Sequence, residues 1–222
     1  GKKLGVANAT HDYAKYWTKE FVPVWRKAGG DVVSMNPMDY NKSADFYTGV
    51  SKVLSEDPDV LFVGGASEPT GLVVRQAREL GFKGGFVIMD QAKMDEVAKV
   101  SGGLESLEGS VGVVPLAEYN TPGAERFVKL WQEKHDGVAT SETAYHYFAM
   151  YLIMHAMQEA GSVDDPRAIR AAIPQALAKV DPKHNPYDVT DVTEDGNLGA
   201  DPQIAEVVDG KVVIRETADY KD

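Results

Sequence analysis

The chain has 222 residues, 43% hydrophobic and 26% charged, which is ordinary globular composition for one large domain or two small ones and excludes disorder as the default. A formal charge of -11 at pH 7 argues against nucleic acid or an anionic membrane as partner, because no basic patch is available for phosphates; cationic and zwitterionic partners remain open. The absence of cysteine excludes disulfides, thiolate catalysis and cysteine-type zinc sites, and fits a cytosolic or an oxidising compartment equally.

No apolar run approaches the roughly 20 residues needed to span a bilayer. The start, Gly1-Lys2-Lys3-Leu4-Gly5-Val6-Ala7, reads as a strand rather than a signal peptide, and its abruptness suggests a piece of a longer protein. Leu4 to Ala7 is the first strand. The helix after it presents Trp17, Phe21, Val24 and Ala28 on one face, with Pro23 expected to kink it and Gly29-Gly30 to close it. Val32 to Met35 is the second strand, followed by a helix from about Ala44 with Phe46, Val50, Val53 and Leu54 inward, ended by Asp57-Pro58.

Val60 to Val63 is an unbroken apolar run suited to a strand buried on both faces. Gly64 and Gly65 allow positive φ or a close approach, and Ser67 is placed to cap a helix with Glu68 and Pro69 in its first turn. That helix carries Leu72, Val73, Ala77 and Leu80 on one side and Arg75, Arg78 and Glu79 on the other, and Gly81 stops it. Phe86 to Met89 is the fourth strand, Met94 to Val100 a short helix, and Leu107 to Pro115 holds the fifth strand. Strands alternating with helices predict an α/β doubly wound parallel sheet in the flavodoxin-like order 2-1-3-4-5. Ligands bind such sheets at the carboxyl ends of the strands beside the switch point, here the loops Asn8 to Tyr13, Gly64 to Ser67, and Asp90 to Gln91.

After Pro115 the pattern turns helical: Pro122 to His135, Glu142 to Ala160, and Asp165 to Leu177. The middle helix has an apolar stripe of Tyr145, Phe148, Ala149, Leu152, Ile153 and Ala156 that demands a substantial surface to pack against. Glu194-Asp195-Gly196-Asn197 reads as a turn, and Asp209-Gly210 as a hairpin turn between Gln203 to Val208 and Lys211 to Ile214. Asp219-Tyr220-Lys221-Asp222 is a natural polar tail or the remnant of an epitope tag.

No nucleophile elbow, phosphate-loop lysine motif or zinc-protease motif is present, and the five histidines are scattered, with no pair at ligand spacing except His146 and His155, which nine residues apart lie on different turns; no metal and no cofactor are expected. The Gly64 to Ser67 turn either cradles an anion or simply joins strand to helix. Asp90, directly after an apolar strand, either pairs with a ligand ammonium or caps the next turn. Tyr13 offers a flat face and a hydroxyl, or packs the helix start.

These residues resemble the periplasmic substrate-binding proteins of branched-chain amino acid (Leu/Ile/Val-type) ABC transporters, with the type I fold. The resemblance rests on Leu4 to Ala7 with Asp12-Tyr13, Ala28 to Val33, Asp45-Phe46, Pro58 to Val60 with Gly64-Gly65, and above all Arg75 to Gly84; Leu107 to Gly109, Tyr145 to Gly161, Glu194 to Asn197 and Asp209 to Lys211 add to it. It implies a non-enzymatic, periplasmic or extracellular protein of two lobes that close on a small ligand and hand it to an ABC permease. Residues 1–116 then form the second lobe, 117–185 helices belonging to the first, and 186–222 the return to the second, with hinges near residue 1, Pro115 to Glu118 and Asp181 to Tyr187. A chain folding alone would bury its helical stripe by dimerising. Tyr13 matches the first-loop tyrosine that contacts ligand in leucine-type members, and Asp90 the acidic residue that holds the ammonium, one methylene shorter than the usual glutamate. Where those members have a tyrosine after the glycine pair this chain has Ala66, followed by Ser67, which puts leucine itself in doubt. The groups that hold the α-carboxylate belong to the first lobe and lie outside this sequence. A ligand-sensing regulator or receptor domain of the same fold is the alternative, and a small α/β enzyme the third.

Overall fold

Short apolar runs, each followed by a loop and an amphipathic helix, are built into parallel strands joined by helical crossovers. In the computed structural model, which describes residues 1–200 and 203–216, β1 (Lys3–Val6) leads to α1 (Asp12–Lys27), β2 (Asp31–Met35) to α2 (Tyr47–Leu54), β3 (Val60–Val63) to α3 (Ser67–Glu79) and β4 (Gly85–Ile88) to α4 (Met94–Ser101). After β5 (Val111–Gly112) come α5 (Pro122–Lys134), α6 (Ser141–Ala160) and α7 (Pro166–Leu177), a small hairpin of β6 (Asp191–Val192) and β7 (Leu198–Gly199), and a longer one of β8 (Gln203–Val208) and β9 (Lys211–Glu216). The polar stretch from Asp219 to Asp222 lies outside the described residues.

The sheet runs β2-β1-β3-β4-β5-β8-β9. Its first five strands are parallel in the predicted order 2-1-3-4-5, and β8 and β9 add an antiparallel edge. The Asp209-Gly210 turn has φ of 52° and 67°, the pair of positive values that a two-residue hairpin of this hand requires. Its two N–H groups donate to the two carboxylate oxygens of Glu108, each at 3.0 Å, which fastens the hairpin to the segment before β5.

Contacts divide the chain into two units, Gly1–Val114 with the described residues from Gln203 onward, and the stretch from Pro115 to residue 200. In the first, Leu4, Val6, Leu61, Phe62, Val63 and Phe86 are fully or almost fully buried between the helices. The second is a helical packing with Phe127, Phe148, Leu152 and Ala156 at its centre, joined by Tyr187 and Val189. In this unit α6 splits its apolar residues over two faces: Ala144, Phe148, Leu152 and Ala156 are buried, while Met150 and Met154 are 58% and 50% exposed and Ile153 is also open. Among the described residues no helix is long and apolar enough to cross a membrane.

Several sequence expectations are corrected. Of the face expected on α1, Trp17 and Phe21 pack against the Phe62 ring, but Val24 is 63% exposed; the buried residues of the helix are Ala14 and Val22, and the Trp25 indole donates to Lys2 O and Asp31 O. β5 falls within the expected Leu107–Pro115 stretch but is only two residues long, preceded by a 3-10 turn at Leu104–Leu107 and by Gly109 at φ +72°. The helix expected from about Ala44 starts at Tyr47, with Phe46 as its N-cap.

Arg78 does not lie on a solvent face. Its guanidinium donates to the carbonyls of Ser106, Phe82 and Gly84 at 2.8–2.9 Å and sits 4.7 Å from the Phe86 ring centroid. Burial lowers the tendency of this group to hold its proton, yet three carbonyls and two rings suffice to keep a guanidinium charged. A lysine has a single donor centre and cannot span those carbonyls. Arg78→Lys is therefore expected to lower stability by about 1–2 kcal/mol, read as a shifted urea midpoint at unchanged slope.

Candidate functional site

The register across the sheet sets β1, β3 and β4 level: Val6 pairs with Phe62, and Phe62 with Val87. Their exits therefore share one edge. The glycine pair after β3 works by close approach rather than by positive φ, since neither Gly64 nor Gly65 has a left-handed backbone. A Cβ on Gly64 would overlap Met89, and one on Gly65 would lie 2.6 Å from the Tyr40 ring and 3.0 Å from Ala9. Tyr40 is buried beneath this turn, donating to Ala7 O at 2.6 Å and accepting from the Gly64 N–H. Burial pushes its phenol far above the ordinary value, so it stays a neutral strut between the exits of β1 and β3.

Tyr13, in the first turn of α1, and Asp90, two residues past the end of β4, come together: the Tyr13 hydroxyl donates to Asp90 Oδ2 at 2.8 Å. Asp90 does not cap the next helix, whose N-cap is Lys93 without a side-chain bond. The other oxygen, Asp90 Oδ1, is shielded from solvent and accepts no hydrogen bond among the described groups. Tyr13 is 47% exposed. Burial raises its phenol above the ordinary value, the Trp17 indole works against that, and the Asp90 carboxylate adds to the rise.

Ser67 is not the cap expected of it. Ala66 is the N-cap of α3, with φ -61° and ψ 152°, and its carbonyl accepts from both the amide and the hydroxyl of Thr70. The Ser67 hydroxyl instead accepts from the Lys93 N–H at 3.0 Å, and the Lys93 ammonium donates to the Asp90 carbonyl at 2.7 Å. Ser67 is thereby tied to Asp90 through Lys93, while Ala66 stands exposed beside it. Lys93 was overlooked in the sequence, where its only signal was a basic residue three positions after Asp90.

These residues share one edge of the sheet. It has a carboxylate with one oxygen already held and one without a donor, a half-exposed aromatic ring, and small residues where β3 meets α3.

A family model described as periplasmic binding protein matches residues 1–211. The chain belongs to this family. Among curated relatives, a Leu/Ile/Val-binding protein homolog 1 of Brucella suis is 26% identical over 129 residues, covering 58% of this chain and 34% of that protein. A homolog 2 of Brucella abortus is 25% identical over 155 residues, covering 64% and 41%. A solved leucine-binding protein, LivK, of Thermotoga maritima is similar in fold at a TM-score of 0.75 and 23% identity, covering 98% of this chain and 61% of that one. The solved LivJ of Streptococcus pneumoniae, in complex with isoleucine, gives 0.74 and 18%, covering 97% and 60%. The chain thus spans less than two thirds of these relatives.

The Tyr13–Asp90 pair carries its own test. In Asp90→Asn the charge beside the phenol is gone while burial remains, so Tyr13 should ionise at a lower pH than in wild type and still above a free tyrosine. Ring-carbon NMR titration of tyrosine-labelled protein, with Tyr13→Phe for assignment, measures it; an unmoved Tyr13 curve would mean that the pair does not form.

Proposed function

We propose that the protein is an extracytoplasmic solute-binding protein, periplasmic or extracellular, that takes up an amino acid or a similar small polar solute and delivers it to an ABC importer. The observation that carries this reading is Asp90 Oδ1, a shielded acceptor without a donor at the carboxyl edge of a doubly wound sheet. A carboxylate left in that condition is costly unless a donor, best a cation, arrives to complete it. An ammonium does so while Oδ2 stays on Tyr13. Membership of the periplasmic binding protein family, with Leu/Ile/Val-binding homologues among the relatives, supports the same ligand chemistry. Tyr13 supplies a wall for the ligand, and Ala66 and Ser67 leave room where leucine-type members place a tyrosine.

We assign the sheet unit to the second lobe and the helices that follow Pro115 to the first lobe of a two-lobed protein that closes about the chain crossings. The exposed face of α6 supports this, together with the apolar groove of about 520 Å³ between α5 and α6 that Phe127, Trp131, Tyr147 and Met150 line. A Trp131 indole N–H that is shielded without an acceptor lies at the same place. In the full-length protein Met154→Asp should then cost more than the roughly 0.5 kcal/mol typical of a surface substitution. Urea unfolding checks this, and a neutral result removes the lobe assignment.

The ligand reading is tested by calorimetry of an amino acid panel against full-length wild type and Asp90→Ala. The variant should lose at least about tenfold in affinity for an amine ligand, equivalent to about 1.4 kcal/mol. Equal affinities would remove Asp90 from the site.

A further inference from the structure

One residue in the first turn of α1, Ala14, has both its backbone N–H and its backbone carbonyl bonded to side chains. The Ala14 N–H donates to His11 Nδ1 at 3.2 Å, and the Ala14 carbonyl accepts from the Thr18 hydroxyl at 2.9 Å. Thr18 has then spent its proton and can only accept, which it does from Asn8 Nδ2 at 3.1 Å. Asn8 is wholly buried; its backbone carbonyl accepts from the Met38 N–H beyond β2, while its side-chain Oδ1 and His11 Nε2 are shielded and have no partner among the described groups. A continuous polar chain therefore runs from the sheet edge through Asn8 and Thr18 to Ala14 and back to His11.

The chain also fixes proton positions. An Nδ1 that accepts leaves the neutral imidazole with its proton on Nε2, so His11 is held as one tautomer. Histidine is a rare choice for a helix N-cap, a place that serine, threonine, asparagine and aspartate fill more readily. What the turn carries gives the arrangement its purpose: Tyr13 lies between His11 and Ala14, and its hydroxyl must reach past the exit of β3 to Asp90 at 2.8 Å. A turn free to fray would swing that hydroxyl away, since the first turn of a helix has no intrahelical partners for its N–H groups.

We infer that His11, with Asn8 and Thr18, is a positioning residue of the ligand site that holds the first turn of α1 so that Tyr13 is delivered onto Asp90. This rests on the reading of Tyr13 and Asp90 as ligand contacts, and it adds the residues that set their geometry. His11 acts through the backbone of α1 and Tyr13, not by touching the ligand. The function of the clamp is preorganisation: the phenol and carboxylate are paired before a ligand arrives, so their ordering is not charged against binding.

The test uses His11→Ala, which deletes the cap acceptor, Thr18→Val, which deletes the hydroxyl at nearly constant shape, and His11→Asn, which restores a short acceptor at the N-cap. The first readout is the ring-carbon NMR titration of Tyr13 without ligand. His11→Ala and Thr18→Val should move the Tyr13 curve toward that of Asp90→Asn, and His11→Asn should keep it at the wild-type position. The second is calorimetry on the full-length protein with L-leucine, L-phenylalanine and L-glutamate, where the first two variants should bind about three- to tenfold more weakly and His11→Asn within twofold of wild type. An unmoved Tyr13 curve in His11→Ala and Thr18→Val, or an equal shift in His11→Asn, overturns the positioning role. A moved curve with unchanged affinities upholds it and overturns instead the ligand role of Tyr13.

Discussion

The level ending of three parallel strands is the constraint on which the rest of the molecule's chemistry depends. Val6, Phe62 and Val87 stand side by side, so the loops after β1, β3 and β4 must share one edge of the sheet. Three loops with ordinary side chains would crowd each other there. The middle one avoids this by carrying Gly64 and Gly65, against which Met89, Ala9 and the Tyr40 ring are packed. A side chain at Gly64 would push Met89 away, and Asp90, its neighbour in the chain, would move with it. The Tyr13 to Asp90 contact, which passes over the exit of β3, is thus permitted by two residues that take no part in it.

The handling of charge separates structural from available groups. Glu108 has both oxygens occupied by the N–H groups of the β8–β9 turn. Asp59 accepts from the N–H groups of Lys2 and Lys3 through Oδ2, at 2.8 and 2.9 Å, and these bonds hold its carboxyl below the ordinary value. Arg78 is satisfied by carbonyls and rings. Asp90 differs from all three in kind. One of its oxygens is held by the Tyr13 hydroxyl, and the other is shielded from water and accepts from none of the described groups.

The order of the sheet was legible because its signals are local and repeated: an apolar run, a helix, a glycine or proline stop. Tyr13, Ala66, Ser67 and Asp90 could be placed on one edge from that order alone, since position at a strand's carboxyl end needs no knowledge of side-chain contacts. What the residues do there was less visible. The chain cannot say that Ser67 spends its hydroxyl on Lys93 rather than on its own helix, because both choices fit a serine at a helix start. Nor does it reveal that Arg78 turns inward, because an arginine on an amphipathic helix is ordinarily solvated and only the carbonyls of Phe82, Gly84 and Ser106 make the interior acceptable. The His11 clamp was hidden for a related reason. Its partners are a backbone group and a threonine on the next turn, and histidine is not a residue one searches for at an N-cap.

Ala66 is a position on this edge where the side chain can vary without changing the fold. It starts α3 through its backbone, whose carbonyl receives the Thr70 amide and hydroxyl, and no side-chain bond is asked of it. Its side chain is exposed, so a larger residue there extends from the edge and displaces nothing in the core. Gly64 and Gly65, two and one positions earlier, have no such freedom, because Met89, Tyr40 and Ala9 fill the space that a side chain would need. Constraint and latitude therefore alternate within three residues. The glycines hold the edge in shape, Ala66 keeps its side chain clear of the core, and under the proposed function the boundary between structural and specificity-setting positions falls between Gly65 and Ala66.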